Sequence, residues 1–125
     1  MADKIFYGVQ ALQPELKILP GSFTTAGTSD PSVKAGAGFT VARSGTGKWT
    51  VTLTDAYPAI LSVQTCFELD SDAASNIVLN ISNVGTSSFI IHDYDLEDIG
   101  GTPPVDLTGP IVHFVVYARN TSLTK

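Results

Sequence analysis

After residue 38 apolar and polar residues alternate with a period of two. Phe39 and Val41 alternate with Thr40 and Ala42, and Trp49, Val51 and Leu53 alternate with Thr50, Thr52 and Thr54. Between the two runs lies Ser44-Gly45-Thr46-Gly47. Its glycines supply positive φ, so the pattern predicts a β-hairpin with threonines on the wet side of the pleat. Four further runs follow at strand spacing. Ala59 to Leu69 sets Leu61, Val63, Thr65, Phe67 and Leu69 on one face, and Asn76 to Ser82 directs Ile77, Leu79 and Ile81 inward. Ser87 to Tyr94 carries Phe89 and Ile91, and Pro110 to Arg119 carries Val112, Phe114, Val116 and Ala118. Turn-forming clusters separate the runs and none shows a helical period. An all-β fold follows, an antiparallel β-sandwich or jelly roll. The last run has a second apolar face made of Ile111, Val115 and Tyr117, with His113 and Arg119 beside them. Two apolar faces predict a central strand or a subunit interface, and Ile111, Val115 and Tyr117 are the candidate oligomer contacts.

The chain before the hairpin reads differently. Leu16 and Ile18 alternate with Lys17 until Pro20-Gly21 breaks the run, and residues 24–32 (TTAGTSDPS) have turn and linker chemistry. Residues 1–32 therefore read as an N-terminal arm or edge strand, and 33–125 as the sandwich domain. Ile5, Phe6, Tyr7, Val9, Leu12, Leu16 and Ile18 are too apolar for an arm left in water. They must bury on this domain or on another chain, which makes them the candidate partner-binding residues. An extended arm of this kind can add a strand to a partner's sheet edge. Deletion of residues 2–23 is then expected to abolish partner binding and leave the domain folded.

Composition sharpens this picture. Hydrophobic residues make up 43 % of the 125 and charged residues only 15 %, below the usual quarter. The polar surface must be built largely from Thr, Ser, Asn and Gly. The net charge of −5 is unevenly spread: five of the seven bases precede residue 49, and no Lys or Arg occurs from Trp49 to Ala118, where nine acids lie. Such a chain repels phosphate backbones, so nucleic acid is not an expected partner. The asymmetry would orient the protein on a partner, or reflect no more than solvated acidic loops. The N-terminus leads into no apolar run long enough for a signal peptide or a membrane span, so the expectation is a soluble chain made in a cytoplasm. Cys66 is the only cysteine and sits in a strand pattern, where a small core or interface residue is expected.

Candidate chemistry is sparse. Ser44-Gly-Thr-Gly-Lys-Trp resembles a phosphate loop superficially, but Ala42 and Trp49 occupy required positions and a Thr-rich strand follows in place of a helix. His92-Asp93-Tyr94-Asp95-Leu96-Glu97-Asp98 holds one histidine and four carboxylates. The EF-hand spacing is absent, which leaves a solvated acidic loop or an irregular Ca²⁺ site completed by Asp70, Asp72 or Asp106. Paired carboxylates for glycoside hydrolysis arise by chance in any acidic β-domain, and no Ser–His–Asp arrangement is visible. Neither an enzyme nor a cofactor is expected. Trp49, Tyr57, Tyr94, Tyr7 and Tyr117 would form a sugar-stacking platform if several were exposed together, though Trp49 fits the core better.

The segment from Gly36 to Ser62 (GAGFTVARSGTGKWTVTLTDAYPAILS), closed by Val105 to Ser122 (VDLTGPIVHFVVYARNTS), resembles small virion accessory proteins of tailed bacteriophages, the capsid decoration or cement type. The likeness spans roughly residues 33–122 and is one of texture, with no catalytic motif. It implies a non-enzymatic virion protein made in the host cytoplasm. Its partner would be the major capsid protein on the assembled lattice, and it would commonly form a homotrimer at three-fold positions. The same resemblance allows a receptor- or carbohydrate-binding knob of a tail or head fibre. It transfers no functional residue individually.

Overall fold

A computed structural model describes residues 16–69, 77–95 and 106–119. Its strands are β1 (Leu16–Ala26), β2 (Lys34–Ala35), β3 (Phe39–Gly45), β4 (Lys48–Leu53), β5 (Ala59–Glu68), β6 (Ile77–Ser82), β7 (Ser88–Asp95) and β8 (Thr108–Arg119). No helix occurs among the described residues. The strands make two antiparallel four-stranded sheets, β2-β1-β8-β5 and β3-β4-β7-β6, packed face to face as a β-sandwich. Without the two-residue β2, the pairings β1-β8-β5 and β3-β4-β7-β6 match the G-F-C and A-B-E-D order of a seven-stranded immunoglobulin-type sandwich. The one change is that the last strand of that order is here the first in the chain. Leu16 and Arg119 consequently lie opposite each other, so both ends of the described chain leave from the same end of the sandwich.

The core forms where the period-two pattern directs it. Phe39, Val41, Trp49, Val51, Leu53, Phe89, Ile91, Val112, Phe114, Val116 and Ala118 are all buried, as their alternation predicts. Aromatic rings bridge the two sheets: Phe23 lies 5.6 Å from Trp49, and Phe114 lies 5.0 Å from Phe39 and 5.8 Å from Phe89. The hairpin turns at Thr46-Gly47, where Gly47 adopts φ 62°, a region that costs a side-chain-bearing residue steric strain.

Five details refine or depart from the sequence expectations. Residues 16–26, read as an arm or edge strand, are a strand of the sandwich itself: β1 pairs with β8 along nearly its whole length and contributes Phe23, 1 % exposed, to the core. Pro20-Gly21 does not end the strand. Thr24 donates its N–H to Val33 on the β2 side, and Pro20, of the same parity, has its nitrogen on that side too, so no bond to β8 is lost. In β5 a register shift between Ile60 and Ser62 turns Leu61 outward, 46 % exposed, and Ile60 packs on the core in its place. Of the core and interface readings of Cys66, the core one does not hold: the thiol is exposed because Val63, Thr65 and Phe67 take the inward positions of β5. Ile81, on the edge strand β6, reaches the rim and remains 36 % exposed.

One polar clamp ties the hairpin to the loops at its end of the sandwich. Arg43 donates through Nε and Nη2 to the two oxygens of Asp106, at 3.0 and 2.8 Å, and Gly47 N–H donates to Asp106 Oδ1 at 3.1 Å. The backbone N–H of Arg43 reaches Asp30 Oδ1 at 2.8 Å. The Arg43 hydrogen bonds and the Gly47 N–H hold the Asp106 carboxyl below its ordinary value of 3.8. A carboxylate depressed by folding stabilises fully above its unfolded pKa, and that gain is lost as pH falls through the lower folded value. Asp106→Asn should therefore lower the thermal midpoint at pH 7, by less than a core truncation does. The gap from the parent protein should close as melts are recorded at successively lower pH below about 3.8. A gap independent of pH would mean that the carboxylate charge is not what holds the clamp.

Candidate docking face

On β8 the core residues Val112, Phe114, Val116 and Ala118 alternate with Ile111, His113, Val115, Tyr117 and Arg119, which face away from the other sheet and are half-buried. Register extends this outer face to the neighbouring strands. On β1, Thr24, Ser22, Pro20, Ile18 and Leu16 lie opposite Ile111, His113, Val115, Tyr117 and Arg119. On β5, Glu68, Cys66, Gln64 and Ser62 lie opposite Ile111, His113, Val115 and Tyr117. The face is thus striped. Two strands present Leu16, Ile18, Pro20, Ile111, Val115 and Tyr117, and the third presents mainly Ser62, Gln64, Cys66 and Glu68, with Leu61 at its bulge.

Residues from two separate sequence groupings meet here. Ile18, from the proposed arm, is the direct cross-strand partner of Tyr117, a proposed oligomer contact, and Leu16 opens the same row. Ile111 and Val115 share the face. Ile5, Phe6, Tyr7, Val9 and Leu12 lie outside the described residues.

His113 sits at the middle of the face and was not singled out by sequence. Its Nε2 lies 2.7 Å from Glu68 Oε1, and both side chains are about half-exposed at 43 % and 58 %. Cys66 is its cross-strand neighbour, but no hydrogen bond joins thiol and imidazole among the described residues. Such a grouping is invisible in sequence because register alone brings residues 66, 68 and 113 together. Two open depressions of about 290 and 210 Å³ flank His113, one against Pro20 and Gly36, the other against Gln64 and Cys66. Both fall short of the roughly 300–1,000 Å³ of a usual small-molecule pocket. The shape favours contact with a broad surface.

The other candidate constellations separate in space. Trp49 and Tyr57 are buried, at 1 % and 8 % exposure. Tyr94, 40 % exposed, stands beside His92 on the outer face of the sheet that holds β7. Tyr117 faces outward from the other sheet, and Tyr7 is outside the described residues. No shared aromatic platform forms from the four described rings. In the acidic run His92 faces outward and Asp93 is buried on the core side, its N–H donating to Gly47 O at 3.0 Å. Asp106 is held in the Arg43 clamp, while Asp70, Asp72, Glu97 and Asp98 lie outside the described residues. No group of three metal-ligating side chains occurs among the described residues. Burial, aided by Lys48 across the strand, pushes the His92 imidazole below its ordinary pKa.

Comparison with protein-family models, with curated proteins and with solved structures finds no match for this chain.

Proposed function

We propose that the chain is a non-catalytic structural protein of a tailed-phage virion, a capsid decoration protein that docks as a homo-oligomer on the assembled lattice of the major capsid protein. The observation that carries this reading is the striped outer face of β1, β8 and β5, which gathers residues from both groups of binding candidates. The textural resemblance of residues 36–62 and 105–122 supplies the virion context. An all-β scaffold with its core filled by side chains from both sheets suits a protein whose task is to hold a surface rigid. The apolar segment that holds Ile5, Phe6, Tyr7, Val9 and Leu12 precedes Leu16, at the margin of this face, and would extend the contact onto capsid.

The test is co-sedimentation of the purified chain with empty capsids of the phage that encodes it. The informative truncation removes residues 2–15, since a cut to residue 23 would also take most of β1 and the core residue Phe23. Saturable binding by the full chain is expected, with at least tenfold weaker binding after truncation and an unchanged thermal midpoint. Equal binding by both forms would remove the arm from the reading, and no binding by the full chain would overturn it. A fibre knob is the alternative, and glycan-array binding without capsid binding would select it.

A further inference from the structure

We infer that the outer face of β1, β8 and β5 is a two-fold interface on which a second copy of this chain docks face to face. The inference does not depend on the virion reading. The face carries most of its apolar side chains on β1 and β8, while β5 is polar there apart from Leu61 at its bulge and Cys66, so a partner must match apolar stripe to apolar stripe. A second copy can do this in one orientation. With the two-fold axis lying in the contact plane across the strands, β1 covers β1, β8 covers β8 and β5 covers β5, with strand directions reversed. An axis parallel to the strands would instead lay apolar β1 on polar β5.

The charges select the same arrangement. Among the described residues this face holds one cation, Arg119, and one anion, Glu68. They lie at opposite ends, because Glu68 is the neighbour of Ile111, eight residues from Arg119 along β8. An axis through Val115 brings Arg119 of one copy over Ile111 of the other, beside Glu68. Two equivalent cross-copy ion pairs result, as an isologous contact requires. Pro20 and Val115 meet their own counterparts at the axis. Sheets pack in this aligned way at about 10 Å separation and about −30°.

This symmetry is two-fold, in place of the three-fold one that the family resemblance implies. A three-fold contact is heterologous and would set two different patches against each other, which leaves the self-complementary stripe unused. The area bounds the strength. Three strands of about nine residues span roughly 30 Å by 14 Å, at the small end of specific interfaces, so dissociation in the micromolar range is expected.

Sedimentation velocity of the full chain between about 1 and 200 µM tests the inference. The expected result is a single-chain species that converts to a two-chain species as concentration rises. Val115→Asp, which leaves the core side of β8 untouched, should keep the native Trp49 fluorescence and remain single-chain throughout. Arg119→Glu and Glu68→Arg should each weaken association at least tenfold, and the double exchange Arg119→Glu/Glu68→Arg should restore it. A chain that stays single or forms three-chain species across this range would overturn the inference. So would Val115→Asp that still pairs, or a double exchange no better than either single change. If the chain associates only after residues 2–15 are deleted, the face is covered by the chain's own N-terminal segment, and the two-fold interface is again refuted.

Discussion

Phe114→Ala is expected to lower the thermal midpoint by roughly 12–20 °C, the largest effect of any single truncation in this chain. Phe114 lies on β8, the strand flanked on both sides within its sheet, and is 2 % exposed. Its ring meets Phe39 and Phe89 edge-to-face at 5.0 and 5.8 Å, and Phe23 at 6.5 Å. Truncation removes the transfer free energy of the ring and leaves a cavity that two paired sheets cannot close, which costs about 3–5 kcal/mol. Lost edge-to-face contacts lie within that figure. A domain this size is stable by only about 5–15 kcal/mol, so a large share disappears at once. At roughly 4 °C per kcal/mol the stated shift follows. Tyr117→Ala, three residues on and on the outer face, serves as the contrast and should move the midpoint by only a few degrees. Calorimetric melts of both variants check this, and a Phe114→Ala shift no larger than that of Tyr117→Ala would contradict the central place assigned to the ring.

The second large effect is expected at Gly21, where two considerations oppose each other. Glycine within a strand is worse than alanine by about 0.5–1 kcal/mol in backbone entropy, which argues that Gly21→Ala should stabilise. Position decides otherwise. A Cβ on Gly21 would sit 2.6 Å from Phe114 Cζ, 2.6 Å from Phe39 Cε1 and 2.9 Å from Phe39 Cζ. Both rings are buried, Phe39 at 9 % and Phe114 at 2 % exposure, and cannot swing into solvent. Overpacking of this kind costs about 1–3 kcal/mol, enough to outweigh the entropic gain. Gly21→Ala is therefore expected to destabilise by about 2 kcal/mol in a denaturant titration. The same change in a Phe114→Ala background should cost far less, because the cavity accepts the methyl, and the two changes share a site. Additive losses in the double variant would show that the strain at Gly21 arises elsewhere.

These two sites show where the sequence was legible. Phe114 could be named as core from the alternation of β8 alone. The role of Gly21 could not be, because its neighbours Phe39 and Phe114 are distant in the chain and reach it only through sheet packing. Pro20-Gly21 looked like a strand break because proline and glycine are poor strand residues on average. The pairing with β8 shows why both fit, with the proline nitrogen on the side away from β8 and the glycine beneath two rings. Strict alternation groups Leu61 with Val63 and Phe67 and cannot reveal the bulge that turns it outward.

The candidate face divides in the same way. The outward stripe of Ile111, Val115 and Tyr117 was visible in the period of the last strand. Its union with Leu16 and Ile18, the His113–Glu68 contact and the placement of Arg119 and Glu68 at opposite ends were not.

By itself, then, the sequence determined an all-β chain, most of the core and the hairpin turn, because a two-residue period and glycine φ preferences are local properties. Only the tertiary structure decided which strands are neighbours, that β1 belongs to the sheet, and that the apolar and charged residues of β1, β8 and β5 share one outward surface. Those depend on pairing between strands distant in the chain. Pairing follows the joint burial of two sheet faces, which no single run of residues encodes.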